Sequence, residues 1–140
     1  MRAVVTRVSE ASVSINGETV GSIGKGFLVL LGIHKDDHEE TAKWTADRIC
    51  GLRVFEDADG KMNINPKDAG AEILIVSQFT LYADISSRRP GFTDAARPEQ
   101  AVPLYKTVIR ECRDVRGKMI LLPFGKEFFQ STVSRFFSPR

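Results

Sequence analysis

The sequence is poor in the residues on which most hydrolytic and metal sites depend. It contains two cysteines, Cys50 and Cys112, which form no CxxC motif, and two histidines, His34 and His38. Two cysteines so far apart argue against a disulfide-stapled fold and predict two reduced thiols in the core. The histidines share one segment and lack a Glu-based metal motif, so we expect no metal site and no ordinary serine–histidine–acid triad.

Long apolar runs are also missing. No apolar stretch approaches the length of a transmembrane helix, and Met1–Val8 alternates polar and apolar residues, unlike a signal peptide. We therefore expect a cytoplasmic protein that has no membrane partner. The chain of 140 residues, 42% hydrophobic and 27% charged, suits a single globular domain over residues 1–140.

Charge is unevenly distributed along the chain. Residues 1–85 contain 9 Lys/Arg and 13 Asp/Glu, whereas residues 86–140 contain 11 Lys/Arg and 5 Asp/Glu. Eight of those basic residues are arginines, whose planar guanidinium groups suit phosphate oxygens. The basic half is a weak indication of a nucleic-acid partner, because solvated helix faces produce the same pattern.

The apolar pattern predicts an α/β fold of the α+β kind, with a mainly antiparallel sheet and two main helices. Strands are expected at residues 2–8, at 11–15 and 18–23 around an Asn16-Gly17 type I′ turn, and at 27–31. A first helix should begin after Asp36 and Asp37, which stand at capping-box spacing, and end before Gly51 with Trp44, Ile49 and Leu52 on its apolar side. A second helix should run from Pro98 to about Arg113, followed by a strand near 119–122.

The stretch from Glu72 to Asp84 is the most informative part of the chain. Ile73–Val76 predicts a strand buried on both faces, and Ser77, Gln78 and Thr80 follow it directly with Phe79 between them. Polar groups at the end of a core strand need partners, so the stretch is either a strand that surfaces or a ligand site. Without a nearby base, Ser77 and Thr80 are poor nucleophiles, which favours positioning of a substrate over covalent attack.

Several ordered motifs resemble the D-aminoacyl-tRNA deacylase family. The likeness covers residues 1 to about 115 and includes a first signature, Ser77-Gln-Phe-Thr-Leu81. The other matching segments are Met1-Arg-Ala-Val-Val-Thr-Arg-Val-Ser-Glu-Ala-Ser-Val13, Gly26-Phe-Leu-Val-Leu-Leu-Gly-Ile33, Leu52-Arg-Val-Phe-Glu-Asp57, Gly60-Lys-Met-Asn63, Arg89-Pro-Gly-Phe92 and Pro98-Glu-Gln-Ala101.

The resemblance implies a homodimer of β-rich subunits with a barrel-like core and no cofactor. It implies hydrolysis of the ester that joins a D-amino acid, or glycine mischarged onto the tRNA for alanine, to the terminal ribose of tRNA. Ser77, Gln78, Phe79 and Thr80 would form the catalytic pocket, in which main-chain groups of Phe79 and Thr80 hold the aminoacyl group and the RNA 2′-hydroxyl assists water. Further substrate-binding residues are expected at Leu81, Arg89, Phe92, Phe124 and Gly125.

The tail departs from the family pattern. The family's second signature, Asn-x-Gly-Pro-x-Thr, carries a Gly-cis-Pro pair that enters the partner's pocket and excludes L-amino acids, but this chain contains no Gly-Pro. Counted from Phe124-Gly125, that pair falls on Phe136-Phe137. A diverged tail with relaxed chirality, a filter supplied by another element and a shifted reading frame after about Arg116 are the alternatives.

Two other functions remain open from the sequence. A nucleic-acid-binding protein on the same fold would bind D-aminoacyl-tRNA without hydrolysing it. An esterase for small molecules would act without RNA and show little dependence on salt. The basic half of the chain favours tRNA over the small-molecule esterase.

Overall fold

The computed structural model describes residues 1–113, 117–121 and 131–136. It confirms a mixed α/β fold with two main helices. The elements in chain order are β1 (Arg2–Val8), β2 (Glu10–Ile15), β3 (Glu18–Ile23), β4 (Gly26–Gly32), α1 (Glu39–Gly51), β5 (Phe55–Glu56), β6 (Met62–Ile64), β7 (Glu72–Ser77), a 3₁₀ helix (Phe79–Tyr82), α2 (Pro98–Glu111), β8 (Gly117–Ile120) and β9 (Ser131–Phe136).

A four-stranded sheet in the order β1-β4-β7-β8 carries the fold. β1 pairs antiparallel with β4, whereas β4 pairs parallel with β7 and β7 parallel with β8. The four early strands were expected to form one antiparallel sheet. Instead they divide between two sheets, because the β2–β3 hairpin folds away from β1 and β4 and leaves the centre to the apolar run of β7.

The second sheet has the order β3-β2-β9 and is antiparallel throughout. Its hairpin turns at Asn16 and Gly17, with φ of 52° and 80°, as the type I′ prediction requires. One apolar cluster joins the two sheets and includes Leu74 and Val76. A larger cluster includes Ile73 and Ile75 and lies under the helices. The prediction that β7 is buried on both faces is therefore confirmed.

The start of α1 differs from the expected capping box. The N-cap is His38, whose main-chain N–H donates to the Thr41 hydroxyl at 3.2 Å. Asp37 accepts instead from the main-chain N–H of His34, at 2.7 Å, and from the amino group of Met1, at 2.9 Å. Asp37 stands at the spacing of a helix cap, but it accepts hydrogen bonds from two donors that lie outside the helix.

The packed face of α1 was partly predicted. Ile49 is buried, but Trp44 is 62% exposed and was wrongly assigned to the apolar side. Small residues are buried on α1 instead, among them Ala42 and Ala46, which belong to the same apolar cluster as residues of α2. The Arg48 guanidinium lies 5.2 Å from the centroid of the Trp44 ring and covers part of it. The bulky indole therefore lies on the solvent side of α1, while the small side chains are buried.

The two cysteines meet across the helix pair. The Sγ atoms of Cys50 and Cys112 lie 2.7 Å apart, and no disulfide joins them. The contact with Cys50, reinforced by burial, raises the pKa of the Cys112 thiol. Their expected place in the core is confirmed for Cys112, whereas Cys50 is partly exposed.

Three strands were not predicted from the sequence. β5 and β6 form a small hairpin around a turn at Asp57–Gly60, and β9 adds an edge to the second sheet. β8 begins two residues earlier than the predicted strand at 119–122. Within the ranges given above, no helix is both long enough and apolar enough to cross a membrane.

Candidate active site

The polar stretch that follows β7 lies at the carboxyl ends of the parallel strands β4 and β7. Leu31 is the register partner of Ser77 in this pair. The Leu31 carbonyl accepts two hydrogen bonds, from the main-chain N–H of Gln78 at 2.8 Å and from the Tyr105 hydroxyl at 2.9 Å. The last ladder bond of the sheet therefore holds the first residue beyond β7. This edge of a sheet is where α/β folds commonly bind ligands.

Gln78 and Thr80 are in direct contact. The side-chain amide of Gln78 donates a hydrogen bond to the Thr80 hydroxyl. The chain turns sharply here, with Gln78 at φ −144° and ψ 82° leading into the 3₁₀ helix. Both side chains are half-buried, whereas Ser77 is 3% exposed. An amide N–H cannot take up a proton, so this contact orients the Thr80 hydroxyl without activating it as a nucleophile.

The 3₁₀ helix packs against β4 at Gly32. A Cβ atom at Gly32 would lie 3.0 Å from the Gln78 carbonyl oxygen and 3.0 Å from the Leu81 Cβ atom. These distances are tighter than ordinary van der Waals contacts, so only glycine allows the helix to sit so close to the strand. Sequence reasoning did not single out Gly32. The available signal was a glycine at the end of a leucine-rich strand.

A cluster around Tyr82 holds the far end of the 3₁₀ helix. Arg2 donates to the Leu81 carbonyl at 2.9 Å, and its guanidinium lies 4.6 Å from the Tyr82 ring centroid. The His34 ring meets the Tyr82 ring edge-on, with centroids 5.1 Å apart. Burial raises the pKa of Tyr82, with Asp37 adding to the effect and Arg2 opposing it. The helix that carries Phe79 and Thr80 is thus tied to β1 at its end.

The loop after the 3₁₀ helix returns to the site. A two-residue bridge closes it: the N–H of Asp84 donates to the Gly91 carbonyl at 2.8 Å, and the N–H of Gly91 donates to the Asp84 carbonyl at 3.0 Å. Phe92 then packs edge-on against Phe79, with centroids 5.2 Å apart and an interplanar angle of 70°. This contact brings the predicted Arg89–Phe92 motif alongside the polar stretch.

The tip of this loop is basic and exposed. Arg88 and Arg89 lie in it with exposed side chains, and the Arg89 N–H donates to the Ser87 hydroxyl at 3.2 Å. At the base of the loop, hydrogen bonds from Ser86 hold the pKa of the Asp84 carboxyl below its ordinary value. Guanidinium groups on an exposed loop beside this edge of the sheet suit the phosphates of a large polyanion.

The structure brings together the predicted residues Ser77, Gln78, Phe79, Thr80, Leu81 and Phe92, with Arg89 on the adjoining loop. Phe124, Gly125 and Phe137 lie outside the described residues. The backbone of Phe136 is the last position of β9, opposite Glu10 of β2. The role of these four residues stays a prediction.

The donor groups at this edge are hydroxyl, amide and main-chain groups. In the part of the chain that the structure describes, no three His, Cys, Asp or Glu side chains come together in a way that would hold a metal ion. His34 packs on Tyr82, and its Nδ1 atom accepts from the Asp36 N–H at 3.0 Å. Such an edge is equipped to bind and orient a carbonyl compound and to stabilise an oxyanion.

Comparison with known proteins places the chain among tRNA deacylases. The family model described as D-Tyr-tRNA(Tyr) deacylase matches residues 4–133. The D-aminoacyl-tRNA deacylase of Symbiobacterium thermophilum is 54% identical over 114 residues, covering 81% of this chain and 76% of that protein. The D-aminoacyl-tRNA deacylase of Thermosipho africanus is 44% identical over 135 residues, covering 96% and 91%.

Solved structures give the same assignment of the fold. The structure titled c-Myc DNA Unwinding Element Binding Protein superposes with a TM-score of 0.85 at 34% identity, covering 97% of this chain and 91% of that chain. A probable eukaryotic D-amino acid tRNA deacylase superposes with a TM-score of 0.70 at 17% identity, over 81% and 67%, and shares the fold. The family match includes the Ser77–Leu81 stretch and extends past Arg116. The chain belongs to the D-Tyr-tRNA(Tyr) deacylase family.

Proposed function

We propose that this protein hydrolyses the ester bond between a D-amino acid and the terminal ribose of tRNA, releasing the free D-amino acid and tRNA. Family membership supports the reaction class. The observation that carries the proposal for this chain is the contact between Gln78 and Thr80 at the carboxyl end of β7. It orients the Thr80 hydroxyl within the stretch that begins at the buried Ser77, and the amide that contacts this hydroxyl cannot act as a base.

The reaction needs only water. A water oxygen attacks the ester carbonyl carbon, the bond from that carbon to the ribose oxygen breaks, and the ribose oxygen takes a proton as it leaves. The residues Ser77, Gln78, Phe79 and Thr80 line the pocket in this proposal, and the main chain of Phe79 and Thr80 holds the aminoacyl group. The neighbouring 2′-hydroxyl of the terminal adenosine assists the attacking water. Positioning and oxyanion stabilisation then supply the rate enhancement.

The surroundings of the pocket contact the RNA in this scheme. Phe92, packed on Phe79, forms a wall of the pocket, Leu81 closes the 3₁₀ helix, and Arg89 reaches phosphate from the exposed loop. Phe124 and Gly125 complete the binding residues carried over from the family. The excess of positive charge after residue 85 supports a polyanionic partner. A homodimer in the cytoplasm is part of the same proposal, as is removal of glycine mischarged onto the tRNA for alanine.

A second candidate concerns chirality. The chain has no Gly-Pro, and the Phe136 backbone is engaged in the ladder with Glu10 of its own chain. We therefore propose weaker rejection of L-aminoacyl-tRNA than a Gly-cis-Pro filter would give. The family match to residue 133 favours a diverged tail over a shifted reading frame.

Deacylation of matched D-aminoacyl-, L-aminoacyl- and glycyl-tRNA tests both proposals. We expect turnover of the D and glycyl substrates, and measurable turnover of the L substrate that falls in the Phe136→Gly/Phe137→Pro variant. Absence of D-aminoacyl-tRNA turnover would overturn the deacylase assignment. Strong rejection of the L substrate by the unmodified protein would overturn the proposal of relaxed chirality alone.

The rival is a nucleic-acid-binding protein without turnover. The structural relative titled as a c-Myc DNA unwinding element binding protein gives it a specific basis. Binding of D-aminoacyl-tRNA without release of the amino acid would favour it. A small-molecule esterase would instead cleave simple esters without RNA, and its activity would change little as salt rises.

A further inference from the structure

Tyr105 is not one of the proposed pocket residues, yet it contacts the main-chain carbonyl that holds Gln78. It belongs to α2, and its hydroxyl donates to the Leu31 carbonyl at 2.9 Å. The same oxygen accepts the Gln78 N–H at 2.8 Å. One carbonyl thus joins helix α2, strand β4 and the first residue of the polar stretch. Both acceptor directions of this carbonyl are occupied.

The Tyr105 hydroxyl is buried and has a fixed role as donor. Tyr105 is 1% exposed and is the largest fully buried side chain of the core. Burial raises the pKa of Tyr105 well above its ordinary value. The phenol therefore stays neutral at physiological pH, and its single proton goes to Leu31. A buried tyrosine hydroxyl commonly finds such a partner, and here the partner lies next to the site.

The position of Gln78 determines the geometry of the residues after it. Its main chain turns the strand into the 3₁₀ helix, and its side-chain amide holds the Thr80 hydroxyl. A small shift of the Gln78 peptide therefore moves both Thr80 and the main chain of Phe79. Sub-ångström errors of this kind are costly when catalysis depends on orientation.

We propose that Tyr105 is a positioning residue for deacylation, which fixes the main chain of Gln78 through the shared carbonyl of Leu31. The proposal rests on the deacylase function proposed above. Tyr105 is too deeply buried to touch the substrate, so it acts through Leu31 and Gln78. Removing its hydroxyl leaves the ring in the core and frees one acceptor direction of the Leu31 oxygen.

The test compares Tyr105→Phe with Thr107→Val. Thr107 is on the same helix and 6% exposed, and its hydroxyl bonds only within α2 among the described contacts: it donates to the Pro103 carbonyl at 3.2 Å and accepts from Arg110 at 3.3 Å. Each variant loses one buried hydroxyl of α2. Steady-state deacylation of D-aminoacyl-tRNA is measured well below the melting temperature of each protein, and exchange of the Gln78 amide is followed by NMR.

In Tyr105→Phe we expect kcat to fall about tenfold with KM changed less than about twofold, and Gln78 amide exchange to be about tenfold faster than in Thr107→Val. Thr107→Val should keep kcat within about twofold of the unmodified protein. Equal kcat and equal amide exchange in the two variants would overturn the role of Tyr105.

Two further outcomes distinguish failure of the positioning role of Tyr105 from failure of the proposed deacylase function. An unmodified protein without turnover rejects the deacylase function, and the deacylation role of Tyr105 with it, while the amide exchange still reports whether Tyr105 fixes Gln78. If Tyr105→Phe fails to fold, amide exchange in the unmodified protein tests the proposal. Its Gln78 amide should exchange only through global unfolding, and exchange through local opening would overturn the proposal.

Discussion

The side-chain amide of Gln78 donates its hydrogen bond to the hydroxyl of Thr80, two residues along the chain. The Thr80 hydroxyl therefore contacts a hydrogen-bond donor, whereas a nucleophilic hydroxyl would need a base that accepts its proton. Ser77, the other hydroxyl of the stretch, is buried at the end of β7. The local chemistry is therefore one of orientation.

Replacing Thr80 by valine should impair deacylation without abolishing it. The variant keeps the shape of the side chain but removes the oxygen that Gln78 contacts, so we expect kcat to fall about 10- to 100-fold. Single-turnover deacylation of D-aminoacyl-tRNA measures the loss. Thr19→Val, which removes an exposed hydroxyl 3.5 Å from that of Ser14 in the second sheet, is the control and should be neutral. A trapped acyl-enzyme on Thr80 would contradict a positioning role.

Arg88 and Arg89 should contribute to tRNA binding through phosphate contacts. We expect the double variant Arg88→Gln/Arg89→Gln to reduce the slope of log K against log salt concentration by about 0.7–0.9 for each arginine that contacts a phosphate. Binding titrations between low and physiological salt give the slope.

The control for this measurement changes net charge equally. Arg48→Gln/Arg53→Gln removes two exposed arginines, which lie against Trp44 and the Asn63 carbonyl. Its slope should stay close to that of the unmodified protein. An equal decrease in both double variants would mean that net charge, and not the loop, governs binding.

Any side chain at position 32 should destabilise the fold. A Cβ atom there would press on the Gln78 carbonyl oxygen and on Leu81, so Gly32→Ala should lower the free energy of unfolding by about 1–3 kcal/mol and reduce turnover. Gly51→Ala is the matched control, since nothing lies within 4 Å of its Cβ position at the end of α1. Its stability should be unchanged or higher by up to about 1 kcal/mol. Chemical denaturation measures both variants, and equal effects would contradict the proposed close packing.

Mild oxidation should join Cys50 to Cys112. Diamide removes one hydrogen from each thiol to form the disulfide, and the sulfurs, 2.7 Å apart, need to approach by less than about 1 Å. Because the pKa of Cys112 is raised, the reaction should be slow at neutral pH and faster as pH rises. The crosslink should stabilise the fold by up to about 4 kcal/mol, since it closes a loop of 62 residues.

Intact mass and thermal unfolding follow that reaction. The crosslinked protein should lose two hydrogens and resist alkylation, whereas Cys50→Ser should retain one blockable thiol. Independent alkylation of both thiols after oxidation would show that the pair does not react together.

The sequence predicted the elements whose signal is local. The run Ile73–Val76 predicted a strand buried on both faces, and Asn16-Gly17 predicted a hairpin turn, because each signal lies within a few consecutive residues. The Ser77–Thr80 stretch was identified because polar groups follow a core strand without a break. Contacts between distant segments were not predictable in this way. Neither the close packing of the 3₁₀ helix against Gly32 nor the hydrogen bond from Tyr105 to Leu31 produces a periodic pattern in the sequence.

Two errors have the same cause. Trp44 was assigned to the core by its hydrophobicity, yet the buried side of α1 carries alanines and the indole is exposed. Asp37 was assigned to a helix cap by its spacing, yet it accepts from the amino group of Met1 and from the N–H of His34. In both cases the tertiary partner, which no local pattern contains, decided the outcome.

The ladder between β2 and β9 has a consequence for how the chain reaches its native state. Ile15 pairs with Ser131 and Glu10 with Phe136, so the closest partners in this ladder are 116 residues apart. Contacts of such separation form late, because a large loop must close before they can stabilise anything. On the ribosome, the open edge of β2 therefore waits for nearly the whole of this sequence to be made. Until then it can pair with another nascent chain, which makes slow synthesis and crowding the conditions under which this protein should misassemble.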